Sequence, residues 1–366
     1  MMKILYVLGD YTKPGGIERI IAKKANYMTE AGLKIFIASL NKSEKEPFFH
    51  FDPRIKFFTL GIKDSPGNKA VFLEKISELL DEIKPDISIT TNLGITQYLY
   101  EVKDSSKKIF EFHFAKYKGK TKLAGLNKYP LGKIIQNIYS QNLTQIANRY
   151  DKFVVLTEED KQQWRGVENI EVIPNPLPFI PQEYSNQQTK RVISVGRLSS
   201  QKGFKTLIEI WSKVSPNYPD WQLTIFGSGR KQSELQKQIK DVGLEKTLEI
   251  KPSSKEIENE LRNSSVYTMT SRYEGLPLVL MEALSCGLPA VAFACKCGPR
   301  DLINENEDGF LISPGNKNNF IEKLSLLLSD LDLRQKMGQA AQKNILRYTE
   351  DKIMPKWFEL FDKLLQ

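Results

Sequence analysis

Short apolar runs and amphipathic segments alternate along the first half of the chain. KILYVL (3–8) precedes a glycine-rich turn and a helical stretch, IERIIAKKANYMTEAG. KIFIASL (34–40), IKFFTL (55–60), a helix near 68–83 and DISITT (86–91) follow. KKIFEF (107–112), a helix near 130–148 and KFVVLT (152–157) complete the half. Strands and helices taking turns in this way predict βαβ units around a parallel sheet. IPNPLPFIPQEYSNQQTK (173–190) breaks the rhythm with four prolines and a polar end, and reads as an interdomain linker. The alternation then restarts with RVISVG (191–196), WQLTIFG (221–227), LEI (248–250), SVYTMT (265–270) and PAVAFA (289–294), which predicts a second doubly wound domain. The last segment, DKIMPKWFELFDKLLQ, is an amphipathic helix offering Trp357, Phe358 and Phe361 for packing. The expected division is 1–175, completed by helix 352–366, and 176–351. Two such domains would hold a ligand in a cleft at the carboxyl ends of both sheets.

Composition narrows the class. The 366 residues exceed one ordinary core, and 40% hydrophobic with 27% charged residues is the balance of a soluble globular protein. No run of eighteen apolar residues occurs, and the apolar stretch of MMKILYVLGDYTKPGG is too short for a signal peptide, so a cytoplasmic location is expected. Cys286, Cys295 and Cys297 are an odd number without disulfide spacing and read as reduced thiols. With two histidines in the whole chain, Cys295-Lys296-Cys297 does not make a zinc site.

The net charge of +9 is uneven: Phe112 to Tyr150 contains no Asp or Glu, but does contain Lys116, Lys118, Lys120, Lys122, Lys128, Lys133 and Arg149. Aromatic and aliphatic residues interleave with them, a mixture suited to an anionic membrane surface. Nucleic acid is the competing partner, but no nucleic-acid module is recognisable. A solvated lysine-rich loop leading into a core helix is the plainer alternative.

Chemistry gathers in two loops of the second half. RVISVGRLSSQKGF puts Arg197 and Lys202 after a strand and before a helix starting near Gly203. Cations are disfavoured at that end of a helix dipole, so the placement calls for a reason; a diphosphate clamp supplies one. SVYTMT is followed by SRYEGLPLVLMEALSCGLPAVAF, in which Glu274 and Glu282 stand eight apart. Pro277 suits the first turn of a helix running through Leu278 to Cys286, whose free amides near Leu276 make an anion site. A carboxylate does not bind a phosphate, but it accepts hydrogen bonds from hydroxyls on either side of one. Glu282 therefore suits the ribose of a nucleotide-sugar, and Glu274 the sugar. For either glutamate alone, complementing the helix dipole would suffice as an explanation.

GGIER (15–19), IPNP (173–176), VGRLSSQKG (195–203), YEGLPLVLMEALSCGLPAVA (273–292) and NEDGFLISPGN (306–316) resemble glycosyltransferase family 4, the retaining GT-B enzymes, over nearly the whole chain. The resemblance implies an α/β fold of two facing Rossmann-like domains with an interdomain cleft. It implies a nucleotide-sugar donor on the C-terminal domain, an acceptor on the N-terminal one and a last helix that crosses back. Carried over by position, Arg197 and Lys202 neutralise the diphosphate, Glu282 binds ribose and Glu274 contacts the sugar. Gly16, in the loop after the first strand, lets a backbone amide approach the donor phosphate in that family. From their places in this sequence, Gly15 beside it, Gly227 after the strand in FGSGRKQ, Pro252 beside the base, and Gly275, Leu276, Pro277 and Leu278 at the helix start are expected to line the donor as well. His113, ending KKIFEFH, falls where the family commonly has a histidine facing the sugar; a structural hydrogen bond at a strand end is the other reading. LEIKPSSKE and CKCGPRDLI depart from the family's usual turns. No P-loop is present, and Asp330-Leu331-Asp332 reads as a helix boundary rather than a metal motif.

The expected activity is metal-independent, cofactor-free, retaining hexosyl or N-acetylhexosaminyl transfer from a donor such as a UDP-sugar. The acceptor is expected to be a glycan, lipid-linked, in surface polysaccharide or glycolipid synthesis, with the enzyme peripheral on the inner membrane face. A nucleotide-sugar 2-epimerase of the same fold, or a non-catalytic nucleotide-sugar-binding subunit of a synthase, is the alternative.

Overall fold

A computed structural model describes residues 1–40, 46–91, 94–116 and 140–366. The chain forms two compact units, Met1–Pro176 with Glu350–Gln366, and Leu177–Thr349.

The first unit is built on a seven-stranded parallel sheet in the order β3-β2-β1-β4-β5-β6-β7. Its strands are β1 Lys3–Leu8, β2 Lys34–Ser39, β3 Lys56–Thr59, β4 Ile87–Thr90, β5 Lys107–Phe112, β6 Lys152–Val155 and β7 Ile170–Val172. β1 and β4 are buried on both faces, so they read as continuous apolar runs rather than alternating ones. Helix α1 (Gly16–Glu30) follows β1, and α2 (Lys69–Ile83) follows β3. The buried stripe of α1 is Ile20, Ile21, Lys24, Ala25 and Met28, a helical spacing with one charge in it. The terminal helix, Glu350–Leu365, belongs to this unit and buries Ile353, Met354, Trp357, Leu360 and Phe361.

The second unit has a six-stranded parallel sheet in the order β10-β9-β8-β11-β12-β13. These are β8 Arg191–Val195, β9 Gln222–Phe226, β10 Leu248–Lys251, β11 Val266–Met269, β12 Ala290–Phe293 and β13 Gly309–Ile312. Helices α3 (Phe204–Val214), α4 (Leu278–Ser285), α5 (Lys317–Ser329) and α6 (Leu331–Ile345) accompany them. Leu207, Trp211, Trp221, Ile225, Phe293 and Phe320 belong to one apolar core. In both sheets the order reverses beside the first strand, the doubly wound arrangement that opens a crevice at the carboxyl ends.

Most strands fall where the apolar runs place them. β7 and β13 do not figure in the sequence reading: IEV is only half-buried and GFLI is four residues long, too short for a period to show. The helix expected near 130–148 is described only from residue 140, and 140–147 are helical. Residues 177–190 are not a free linker. Leu177 N–H donates to Tyr348 O at 2.7 Å, Ser185 N–H to Cys286 O at 2.9 Å, and Gln187 Nε2 to Gly287 O at 2.5 Å. Proline excludes this stretch from a sheet ladder but not from packing. Asp330 caps α6 by accepting from Leu333 N–H at 2.8 Å, a helix boundary as expected.

Arg334, only 6% exposed, fixes the end of α5. Its guanidinium donates to Leu327 O at 2.6 Å, Leu328 O at 3.1 Å and Gln187 O at 3.3 Å, and lies 5.0 Å from the Trp221 ring centroid. The carbonyls left over at a helix C-terminus thus receive a charged donor. Replacing Arg334 by Ala strands them and removes stem packing, and is expected to destabilise this unit by about 2–4 kcal/mol. Denaturant unfolding checks this; a loss under about 0.5 kcal/mol, the scale of an ordinary surface substitution, would contradict it.

Candidate active site

In the second unit, β8 pairs with β9 on one side and β11 on the other. The loops after β8 (196–203) and β11 (270–277) therefore border the crevice, and the structure brings them together. Gly203 precedes α3 with φ +69°, and a Cβ there would lie 2.1 Å from Thr270 O. Both the left-handed backbone and the close approach require glycine. Thr270 Oγ1 donates to the carbonyls of Lys202 and Gly203, each at 3.2 Å. Arg272 N–H donates to Gln201 O at 2.8 Å, and Gln201 Nε2 to Tyr273 O at 3.0 Å.

On this backbone Lys202 Nζ meets Glu274 Oε1 at 2.8 Å, with the side chains 18% and 8% exposed. Arg197, in the same loop as Lys202, is exposed. Pro277 is the residue before α4 rather than in its first turn, because its ψ of 101° is extended. The lack of an N–H costs nothing there either. No side chain caps this end, so the amides of Leu278 and Val279 are oriented for an anion. Gly275 is half-buried, and Leu276 is buried behind it. Gly298, with φ +92°, lies so close that a Cβ would sit 2.7 Å from Gly275 O and 2.4 Å from Pro277 Cδ. The loop after β12 is thereby pressed against this turn.

Glu282 lies on α4 and is 4% exposed. The Tyr267 phenol of β11 is pushed up by burial first, with the Glu274 and then the Glu282 carboxylate adding to it. One ring therefore feels both glutamates. Burial, Glu258 and Glu282 push the Cys286 thiol up to about 12, which makes it an unreactive core thiol. Gly227 is buried after β9, where a Cβ would stand 2.0 Å from Gly196 O, so its glycine serves backbone approach. Pro252 is exposed, following the edge strand β10. Among the described residues no group of three His, Cys, Asp or Glu could hold a metal.

The remaining candidates belong to the first unit. Gly15 caps α1 in extended conformation, and the exposed Gly16 opens the helix. The Glu18 carboxylate folds over Gly15, where a Cβ would lie 1.9 Å from Oε2. His113 is 9% exposed, immediately after β5. Its Nε2 is buried and lies 3.1 Å from Glu111 Oε1, without the angle of a hydrogen bond. Glu111 is in turn held by Lys24 Nζ at 2.6 Å to each carboxylate oxygen.

Sequence reasoning missed Lys24 and Glu111. The signal was present: a lysine in the apolar stripe of one helix and a glutamate inside a buried strand, each needing a partner. Lys116 is not a free surface cation. Its Nζ donates to Thr144 Oγ1 at 3.0 Å and lies 4.4 Å from the Trp164 ring centroid, which turns the charge toward its own unit. Lys118, Lys120, Lys122 and Lys128 lie outside the described residues.

Comparison with known proteins agrees with this geometry. Residues 178–344 match the family described as Glycosyl transferases group 1. The amylovoran biosynthesis glycosyltransferase AmsD of Erwinia amylovora is 31% identical over 347 residues, covering 82% of this chain and 97% of its own. An uncharacterized glycosyltransferase of Haemophilus influenzae is 29% identical over 366 residues, covering 98% of this chain and 99% of its own. A TarM variant of S. aureus, crystallised in complex with Fondaparinux, alpha-GlcNAc-glycerol and UDP, matches with a TM-score of 0.82 at 18% identity, covering 99% of this chain and all of that one. At that identity the likeness concerns the fold, the GT-B pair of Rossmann-like domains. The chain belongs to the group 1 glycosyl transferases.

Proposed function

We propose that this glycosyltransferase takes a nucleoside-diphosphate sugar, a UDP-sugar, and moves a hexosyl or N-acetylhexosaminyl group to a saccharide acceptor with retention and without a metal. The observation that carries the reading is the Lys202–Glu274 contact, 2.8 Å long, beside the uncapped start of α4. A cation and a carboxylate in direct contact suit a ligand that is anionic at one end and hydroxylated at the other. The diphosphate takes Lys202, Arg197 and the amides of Leu278 and Val279. Glu274 is freed for hydroxyls of the sugar, and Glu282 takes the ribose.

The reaction breaks the bond between the anomeric carbon and the diphosphate oxygen. Charge grows on the departing oxygen, where fixed donors stabilise it more than in the ground state. The acceptor hydroxyl attacks from the same face and gives its proton to the leaving phosphate oxygen, so no enzyme nucleophile is assigned. His113 is assigned to the sugar. The TarM structure is a complex with UDP and alpha-GlcNAc-glycerol, and by likeness this supports a uridine nucleotide-sugar and an alpha linkage here. The name of the Erwinia relative supports a surface-polysaccharide acceptor. A lipid-linked form of it on an anionic membrane face is proposed from Lys118, Lys120, Lys122 and Lys128, a basic run in the sequence.

Pure enzyme incubated with a panel of nucleotide-sugars and lipid-linked acceptors, in anionic or neutral vesicles, tests this reading. Proton NMR of the product is expected to show the donor's anomeric configuration, unchanged in EDTA and with faster transfer on anionic vesicles. Inverted product, or activity lost in EDTA and restored by Mg²⁺, contradicts the mechanism; epimerised free donor contradicts transfer itself. Lys202→Ala is expected to lower kcat/KM for the donor by about 10²–10³-fold, the scale of one lost transition-state donor, with folding intact. A loss below about threefold would remove Lys202 from the site, since about 0.7 kcal/mol is less than a charge-assisted contact supplies.

A further inference from the structure

The first unit holds a charged triad that the reading above does not use. Lys24 is fully buried on α1, and its Nζ straddles the Glu111 carboxylate at 2.6 Å to each oxygen. The same ammonium lies 4.1 Å from the centroid of the Trp357 ring, on the terminal helix, and 5.6 Å from that of Tyr6 on β1. The cation is thus enclosed by one carboxylate and two aromatic faces. One of those two oxygens, Oε1, also lies 3.1 Å from His113 Nε2, a buried nitrogen outside hydrogen-bond angle of it.

Stability alone does not explain this arrangement. Taking an ammonium and a carboxylate out of water costs several kcal/mol each, and an apolar pair of like volume would serve packing at least as well. Burial alone would raise the Glu111 carboxyl, but the Lys24 ammonium against it holds it below the usual carboxylate range. The carboxylate that faces the imidazole is therefore ionised.

We propose that the Lys24–Glu111 pair is the positioning device for His113: the fixed carboxylate, 3.1 Å from Nε2, favours the proton on that nitrogen by its charge and leaves the Nδ1 lone pair for the reacting ligand. Lys24 and Glu111 touch no substrate; they act through the histidine. Lys24 holds Glu111 in the charged form that selects the tautomer, and Trp357 holds Lys24, so the terminal helix is part of the same support. Glu18, whose carboxyl is raised by burial, is a further acidic group of this unit. This inference rests on the assignment of His113 to the sugar.

The chain has two histidines, and His50 is exposed, so nitrogen-15 NMR of histidine-labelled enzyme gives one reporter and one control. The native His113 is expected to show the Nε2–H signature. The double variant Lys24→Met with Glu111→Leu removes both charges together and keeps the volume; Lys24→Met with Glu111→Gln is the fallback if it does not fold. His113 should then lose its single fixed tautomer and show the averaged signals of an unconstrained ring, while His50 stays unchanged. Transfer at saturating donor should slow about 10–100-fold with donor KM within about twofold, and the same pair of changes made on top of His113→Ala should cost less than about threefold more. An unchanged His113 tautomer overturns the proposal, as does an equal further loss in the His113→Ala background, which marks a merely structural pair. A changed tautomer with an unchanged rate overturns the catalytic consequence and removes His113 from the reacting centre, leaving the donor assignment of Lys202 and Glu274 untouched.

Discussion

The contact between Lys202 and Glu274 spans the point where the sheet of the second unit reverses its strand order. Neither side chain is free in water, and a partly buried charge without a partner is costly, so each holds the other. The contact is possible only because the two loops touch at backbone level. Gly203 lets Thr270 come within a distance that any Cβ would block, and the Thr270 hydroxyl ties the loops at that spot. The geometry is set by hydrogen bonds among rigid backbone groups, and the charges sit on it. For the proposed diphosphate, such a site would be preorganised rather than assembled by the ligand.

The same logic accounts for α4. An apolar helix with no side chain at its cap and a proline before it leaves amides oriented toward the crevice. Gly298 presses the next loop against the turn that precedes them, so the amides cannot easily turn away. A buried carboxylate one turn into a helix is disfavoured by desolvation, yet favoured by hydroxyls that it can accept from. Glu282 occupies that position, and Tyr267 feels it together with Glu274. The second unit thus offers cations, amides and acceptors in sequence along one edge of a sheet.

Much of this was readable before any coordinates. Parallel strands buried on both faces are unbroken apolar runs, so KILYVL, KKIFEF and SVYTMT declare themselves. Arg197, Lys202, Glu274 and Glu282 stood out because charge in the loops and helix start after buried strands has no packing role. The placement of Pro277 missed by one position, since a proline fits equally at the cap and in the first turn. β7 and β13 escaped because three or four residues carry no period. Lys24 and Glu111 escaped for another reason. Pattern reading treats a charge inside an apolar stripe as an exception on its own, and pairing two such exceptions 87 residues apart requires the fold. Gly203 and Gly227 likewise show their reason only when the neighbouring backbone is in view.

The most direct test of the central claim is a crystal soaked with an unhydrolysable UDP-sugar. The diphosphate is expected between Arg197, Lys202 and the amides of Leu278 and Val279, with the Lys202–Glu274 contact opened and Glu274 turned to a sugar hydroxyl. A diphosphate bound elsewhere, with Lys202 and Glu274 still joined, would contradict the account.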